Sequence, residues 1–199
     1  VRIRAGAIDR VVDAAGWLLG DLGSGYWLGH AAAKAVAAEL DGRGDSTTLT
    51  PALLAALKIQ WPDGREHTGR PLPLRHFIDA IYALRPIDLA RFAPLVVSRR
   101  GDPVAGRLIA EAERYLVADF ATVFDPRIPG PIALGGGVMP HLTGVAEGIA
   151  SILRTAGLPP DIRPVADGSL GAAVLAMRAI GLTVDEAMFT TLAASISER

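Results

Sequence analysis

Cysteine is absent from this chain of 199 residues, and histidine occurs only four times. The absence of thiols excludes disulfide bonds, cysteine nucleophiles and iron–sulfur clusters held by cysteine. With so few nitrogen and sulfur ligands, a structural zinc site is disfavoured, and we assign no metal ligand. A chain without cysteine is compatible with a cytoplasmic protein, which is the location we expect.

A strong charge of either sign is also missing. The chain has 20 basic and 21 acidic residues, a formal net charge of −1, and the basic residues form no long cluster. Because binding to phosphate backbones depends on clustered Lys and Arg, we expect no nucleic-acid partner. The sequence shows neither a signal-peptide pattern nor an apolar run long enough to span a bilayer, so we expect no membrane association. Half of the residues are hydrophobic, which suffices for one domain or two small ones.

Residues 16–29 are the densest glycine segment, with five glycines, two tryptophans and Asp21 as the single charged residue. Glycine lets the backbone approach another group closely or adopt positive φ. Asp21 or Ser24 can also cap the Ala-rich helix that we predict over residues 24–40. Spacing alone leaves two interpretations open: a site for a polar ligand, or an ordinary turn with a capping aspartate and a core tryptophan.

A second glycine segment follows a short apolar strand at residues 131–134 and consists of Gly135, Gly136 and Gly137. Exposed N–H groups of such a loop can face phosphate oxygens, and a helix is predicted from about residue 141 to 156. A third segment, Asp167 to Ala173, is interpreted as the structural cap of a helix that ends near Ile180.

Hydrophobic periodicity predicts the remaining elements. The alternation at residues 1–5 indicates a strand with one buried face, and 8–13 and 161–165 are further strands. The longest helix, 102–124, should bury a broad face. Its predicted members are Val104, Leu108, Ala112, Leu116 and Phe120 at spacing four, with Ile109 and Val123 beside them. Other helices are predicted near 50–59, 73–84, 88–98 and 183–198, the last with Thr183 and Glu186 as a capping box, and loops at 41–46 and 61–73.

Residues 14–27 resemble the signature G-G-W-G-x-L-L-G-D-E-G-S-G-x-W of N-acetylglucosamine kinases and the related BadF/BadG/BcrA/BcrD ATPases, which belong to the actin-like ATPases. The triple glycine and the Gly-Ala-Ala at 171–173 follow in the family order. The resemblance implies an α/β fold: the C-terminal lobe of an actin-like (RNase H-like) ATPase, with a small mixed sheet surrounded by many helices. It further implies a single lobe over residues 1–199 with a helical insertion at about 41–128.

The same resemblance implies the function of a two-lobed kinase that uses ATP and Mg²⁺ to phosphorylate an amino sugar, N-acetylglucosamine or glucosamine. Asp21 matches the aspartate that binds sugar hydroxyls, with Gly16 and Trp17 beside it, and Gly135, Gly136 and Gly137 match the adenosine-binding loop. No catalytic residue is assigned, because the family's general base belongs to an N-terminal lobe that this chain does not contain. We therefore expect a fragment that is inactive as a kinase by itself.

Two departures from the signature concern the sugar side: Ala15 stands where the family usually has Trp, and Leu22 where it usually has Glu. They could alter the choice of acceptor or abolish activity. One alternative, an ATPase module that activates radical dehydratases, is disfavoured by the lack of cysteine. The other is a non-catalytic or regulatory assembly lobe, which could form a homodimer through an apolar face.

Overall fold

The computed structural model describes residues 1–60, 64, 66–67, 69–165 and 168–197. The chain divides into two compact units. Unit 1 comprises residues 1–130 and 138–160, and unit 2 comprises residues 131–137 and 161–199. The chain thus leaves unit 1 for one strand and a glycine turn, returns to it, and leaves again for its last 39 residues.

Unit 1 is built around helix α2 (Gly25–Leu40), which is rich in alanine and therefore favourable as a helix. Leu28, Ala32 and Val36 recur at spacing four and are fully buried. The helix packs against helices α3 (Leu49–Ala56), α4 (Leu72–Tyr82), α5 (Ala93–Val97) and α6 (Pro103–Val123), and against a 3₁₀ helix (Pro86–Phe92).

The 3₁₀ helix approaches α2 very closely. A Cβ atom at Gly29 would lie 1.8 Å from the carbonyl oxygen of Leu89, so only glycine fits there. The helix predicted over 88–98 is instead this 3₁₀ helix followed by α5. Pro86 and Pro94, each at the start of its segment, account for the division, because proline cannot continue a preceding helix.

Helix α6 confirms the predicted long helix, with Asp102 as its N-cap. The predicted buried face is confirmed at Val104, Ile109, Ala112 and Val123. It is wrong at Leu108, Leu116 and Phe120, which are only half-buried. A spacing of strictly four drifts around a helix of 3.6 residues per turn, so the buried face alternates steps of three and four. Its members are Val104, Ala105, Ile109, Ala112 and Val123.

The first strands form an antiparallel hairpin, β1 (Arg2–Arg4) and β2 (Ala7–Arg10), joined by Ala5 and Gly6 at positive φ. The second strand is shorter than predicted, and a short helix α1 (Gly16–Leu19) follows that was not predicted. The buried face predicted for the first strand is wrong: Ile3 and Ile8 are paired across the hairpin, and both side chains are exposed. Helix α7 (Thr143–Thr155) completes the unit after a 3₁₀ turn (Met139–His141).

Unit 2 contains strands β3 (Ile132–Gly135) and β4 (Ile162–Val165), which pair in parallel, and helices α8 (Ser169–Ala179) and α9 (Glu186–Ser197). The capping box predicted at Thr183 is wrong, because α9 starts later, where the carboxylate of Asp185 accepts the N–H of Met188 at 2.9 Å. Three parts of the prediction lie outside the described residues. They are the cap Asp167, the helix end at Glu198 and part of the loop 61–73.

The predicted fold class is confirmed: the chain is α/β, with many helices and small sheets. Among the described residues the strands form two separate two-stranded sheets, one antiparallel and one parallel. In the same part of the chain, no helix combines the length and the apolar character needed to cross a membrane.

Candidate functional site

The loop that carries Asp21 has an unusual backbone. Asp13, Ala14 and Asp21 adopt φ values of 55°, 56° and 56°, a left-handed conformation that residues other than glycine seldom take. Each such residue costs on the order of 1–3 kcal/mol of strain and persists only where the surrounding structure holds it. Strain of this kind is found most often at functional sites, so the contacts that stabilise this loop and the side chains that it leaves accessible are of interest.

The carboxylate of Asp13 holds the loop. Its two oxygens accept hydrogen bonds from the N–H groups of Asp21 at 2.9 Å and Leu22 at 2.8 Å. The carboxylate lies directly against Gly20, where a Cβ atom would be 2.1 Å from Oδ1 of Asp13. The glycine at position 20 is therefore required by close packing against Asp13.

Ser24, and not Asp21, is the N-cap of α2. Its hydroxyl accepts the N–H of Trp27 at 3.2 Å, and its own N–H donates to the carbonyl of Asp21 at 3.1 Å. The Asp21 side chain is half-buried and has no hydrogen bond or ion pair within the residues that the structure describes. This carboxylate is therefore available to a ligand, next to a helix N-terminus.

Gly16 and Trp17 lie just before this loop, in the short helix α1. Gly16 begins α1 with φ of 76°, and Trp17 is 42 % exposed, so the indole is not a core side chain. Its ring meets the buried ring of Tyr26 edge to face, with centroids 5.7 Å apart. Tyr26 in turn stacks on His30 at 5.6 Å, and burial raises the pKa of Tyr26 and lowers the pKa of His30, which the charge of Lys34 lowers further.

The surroundings of the loop are acidic. Asp119 of α6 is half-buried, and its pKa is raised first by burial and then by the negative charge of Asp13. Asp13 and Asp119 are thus close enough for their charges to interact, and the positive N-terminal amino group partly opposes the shift at Asp119. A negative potential of this kind favours neutral or cationic ligands over anions.

The second predicted cluster lies in unit 2, at the carboxyl ends of parallel strands β3 and β4. Gly135, Gly136 and Gly137 are all exposed, and Gly136 has φ of 118°, which side chains rarely tolerate. Cβ atoms placed at Gly136 and Gly137 would meet nothing within 4 Å. Ligands of α/β proteins typically bind outside the carboxyl ends of the strands, where such a turn leaves room.

The structure places Gly16 and Trp17 in α1 and Asp21 two residues after the end of that helix. It places the three glycines at the end of β3 and in the turn that follows. Sequence reasoning missed Asp13, whose carboxylate accepts hydrogen bonds from backbone N–H groups eight and nine residues later in the chain. The only available signal was an acidic residue three positions before the first glycine of the segment.

Other features of the described residues do not extend the site. No group of three or more His, Asp or Glu side chains among them could hold a metal ion. Two open grooves, of about 460 and 480 Å³, lie beside Arg4 and Arg127 and beside Glu39 and Arg70. Neither groove includes a residue of the two loops.

The solved structures that resemble this chain include two kinase structures whose descriptions carry the same wording. One, from Chromobacterium violaceum, is described as a "Putative N-acetylglucosamine Kinase"; it has a TM-score of 0.56 and 29 % identity, covering 83 % of this chain and 51 % of that one. The other, from Porphyromonas gingivalis and with the same description, has a TM-score of 0.47 and 21 % identity, covering 79 % and 49 %.

No family model matches the chain, and no curated protein matches it. The chain spans about half the length of the solved structures it resembles. Its α/β architecture is therefore similar to that of one half of the Chromobacterium violaceum protein.

Proposed function

We propose that this chain forms the part of a two-lobed kinase that binds an amino sugar through Asp21 and the adenosine side of ATP through Gly135, Gly136 and Gly137. The complete protein would transfer the γ-phosphoryl group of ATP to a hydroxyl of N-acetylglucosamine or glucosamine. The observation that carries the proposal is the similarity of 83 % of the chain to a solved structure described as such a kinase.

The Asp21 carboxylate supports the sugar side. A carboxylate accepts up to four hydrogen bonds, which suits neighbouring hydroxyls of a hexose. Asp21 has no internal partner among the described residues, and Trp17, four residues earlier in the chain, offers an exposed aromatic ring. The carboxylate of Asp13, which is bonded to the same loop, adds negative charge and favours a neutral acetamido sugar or a cationic amino sugar over a sugar phosphate.

The glycine loop of unit 2 supports the nucleotide side. Positive φ at Gly136 and the open space at Gly136 and Gly137 leave the backbone accessible to a bound nucleotide. Bound ATP would supply the phosphoryl group, and the protein's part in such a transfer is mainly positioning and charge stabilisation. The residues of this chain would contribute positioning, through a hydrogen-bonding carboxylate and an open backbone loop.

A ligand-induced thermal shift tests the sugar side. A ligand that binds only the folded state stabilises it by mass action, by about 2.7 kcal/mol at a concentration of 100 times Kd. N-acetylglucosamine or glucosamine should raise the melting temperature of the wild-type chain and of the control D45N, which changes an exposed carboxylate elsewhere in unit 1. The variant D21N should show no shift, and an equal shift in D21N would refute the assignment.

The nucleotide side is tested in the same way with Mg·ATP. Gly137→Val places a side chain in open space, so it should leave the stability of the chain unchanged while it obstructs the loop. Loss of the ATP-induced shift in G137V, with the sugar-induced shift retained, would support the assignment. An ATP response equal to that of the wild type would contradict it.

A second candidate, a non-catalytic or regulatory assembly lobe, is favoured by exposed apolar side chains in the first 19 residues. They are Val1, Ile3, Ile8, Val11, Trp17, Leu18 and Leu19. Exposed apolar surface of this extent is typical of interaction sites. Light scattering after size exclusion distinguishes the two: an assembly lobe should form a dimer that Ile8→Asp and Leu18→Asp disrupt, with no response to sugar or ATP.

A further inference from the structure

Asp13 occupies a backbone conformation that disfavours most side chains, and it makes two hydrogen bonds from there. Its φ of 55° is left-handed, a region in which aspartate is several-fold enriched over other residues with a side chain. The two carboxylate oxygens take separate partners, the N–H of Asp21 and the N–H of Leu22. Hydrogen bonds to an ionised acceptor are the stronger kind, and both have good lengths.

These two N–H groups flank Asp21. The N–H of Asp21 belongs to the peptide plane before its Cα atom, and the N–H of Leu22 belongs to the plane after it. Fixing both planes fixes φ and ψ of Asp21, and with them the direction of its Cα–Cβ bond. The left-handed φ of 56° at Asp21 is thereby held in place by a side chain eight residues away.

The rest of the loop accommodates this arrangement. Gly20 has no Cβ atom and so admits the Asp13 carboxylate, and the carbonyl of Asp21 accepts the N–H of Ser24 at 3.1 Å. The backbone on both sides of Asp21 is hydrogen-bonded, while its side chain has no partner among the described residues. A rigid backbone under a free carboxylate is the arrangement expected of a group that is aimed at a ligand.

We propose that Asp13 is a positioning residue, which aims the Asp21 carboxylate at the hydroxyl groups of the sugar. The inference depends on the proposed function for the identity of the ligand. Asp13 itself touches no sugar: both of its oxygens are used by the loop. Without it, the two N–H groups would turn to water and Asp21 would relax towards ordinary φ values.

The test compares D13G, D13N and the matched control A14G in the full chain. Glycine accepts positive φ, so D13G removes the carboxylate without new strain, and A14G makes the same change at the neighbouring left-handed residue, φ 56°. The first readout is amide hydrogen exchange at Asp21 and Leu22, followed by NMR. The second is the Kd for N-acetylglucosamine, measured by chemical-shift titration.

We expect D13G to lower the exchange protection of the two amides at least tenfold while helix α2 keeps its protection. The Kd for the sugar should rise at least tenfold. D13N, which keeps one acceptor oxygen, should fall between D13G and the wild type, and A14G should stay within twofold of the wild type in both measurements.

A purely structural role predicts a different pattern, in which D13G loses protection but binds the sugar within twofold of the wild type; that result would overturn the proposal. Unchanged protection in D13G would overturn it as well. If the wild-type chain binds no N-acetylglucosamine, or D21N binds it equally well, the proposed function fails instead. The exchange data, with the Cβ chemical shift of Asp21, then still decide whether Asp13 holds this residue.

Discussion

Two aspartates of unit 1 stand just before helices and are used in opposite ways. Asp102, the N-cap of α6, accepts five hydrogen bonds. They come from the hydroxyl groups of Thr47 and Thr48 and from the N–H groups of Thr48, Val104 and Ala105, at 2.7–3.0 Å. Asp21, three residues before the cap of α2, accepts none through its side chain within the described part of the chain.

The comparison separates a structural carboxylate from an available one. Burial by itself would raise the pKa of Asp102, but the hydrogen bonds from Thr48, Ala105 and Thr47 outweigh it and hold the pKa well below the usual range. Its oxygens have little capacity left for a ligand, and they tie the start of α6 to the start of α3. At Asp21 only the backbone is hydrogen-bonded: its N–H donates to Asp13 and its carbonyl accepts from Ser24. The carboxylate therefore keeps its full capacity for hydrogen bonds.

The largest loss of stability is expected from a substitution at Gly23, two residues after Asp21. Gly23 has φ of 77°, and an added Cβ would lie 2.8 Å from the carbonyl oxygen of Ala112 and 3.0 Å from Leu116. Because strain and overpacking add, Gly23→Ala should lower the free energy of unfolding by about 3 kcal/mol or more. Urea denaturation measures this change.

The matched control is Gly101→Ala, in the turn before Asp102. Gly101 has ordinary φ and nothing within 4 Å of an added Cβ, so its substitution should change the stability by less than about 0.5 kcal/mol. Equal losses in both variants would show that the Asp21 loop is no more tightly packed than the Asp102 turn.

The next effect in size concerns Asp102. Asp102→Ala removes a helix cap and leaves the buried hydroxyl of Thr47 and the N–H of Thr48 without their acceptor. We expect a loss of about 2–3 kcal/mol in the free energy of unfolding. Asp102→Asn, which retains one acceptor oxygen, should lose less, and the order of the two variants in urea denaturation checks the account. A loss below about 0.5 kcal/mol in D102A would contradict it.

A smaller effect is the pH dependence that Asp102 confers. Its pKa is depressed in the folded state, so its stabilisation is present above the unfolded value of about 3.9 and is lost as the pH falls below it. The wild type should therefore lose about 1 kcal/mol relative to D102N between pH 5 and pH 3, a value reduced by partial exposure of the group. Urea denaturation at several pH values measures the difference, and parallel curves would exclude the linkage.

Much of the fold could be predicted from local sequence signals. Helices α2 and α6 follow from apolar spacing, and α2 also from Ser24 as one of its two candidate caps, because these determinants lie within a few residues of the elements they define. The glycine turn after β3 was predicted for the same reason. The solved structure from Chromobacterium violaceum agrees with the fold class.

The details that hold the candidate site could not be predicted in this way. Asp13, itself at positive φ, acts through two hydrogen bonds from its carboxylate to N–H groups eight and nine residues later, and neither periodicity nor propensity encodes such a contact. The exposed face of the hairpin was missed because alternation indicates which side chains share a face, and not whether another element covers it. The roles of Asp21 and of the three glycines stay predictions.

The smallest change in stability is expected for Asp21→Asn. The Asp21 side chain has no internal partner in the described residues, so D21N should alter the free energy of unfolding by less than about 0.5 kcal/mol. D102N removes a carboxylate of the same type before another helix, but one that five donors contact, and it should be clearly less stable in the same urea experiment. A D21N variant as unstable as D102N would mean that Asp21 also serves the fold. If D21N is as stable as the wild type but its melting temperature no longer rises with N-acetylglucosamine, the Asp21 carboxylate serves sugar binding and not the fold.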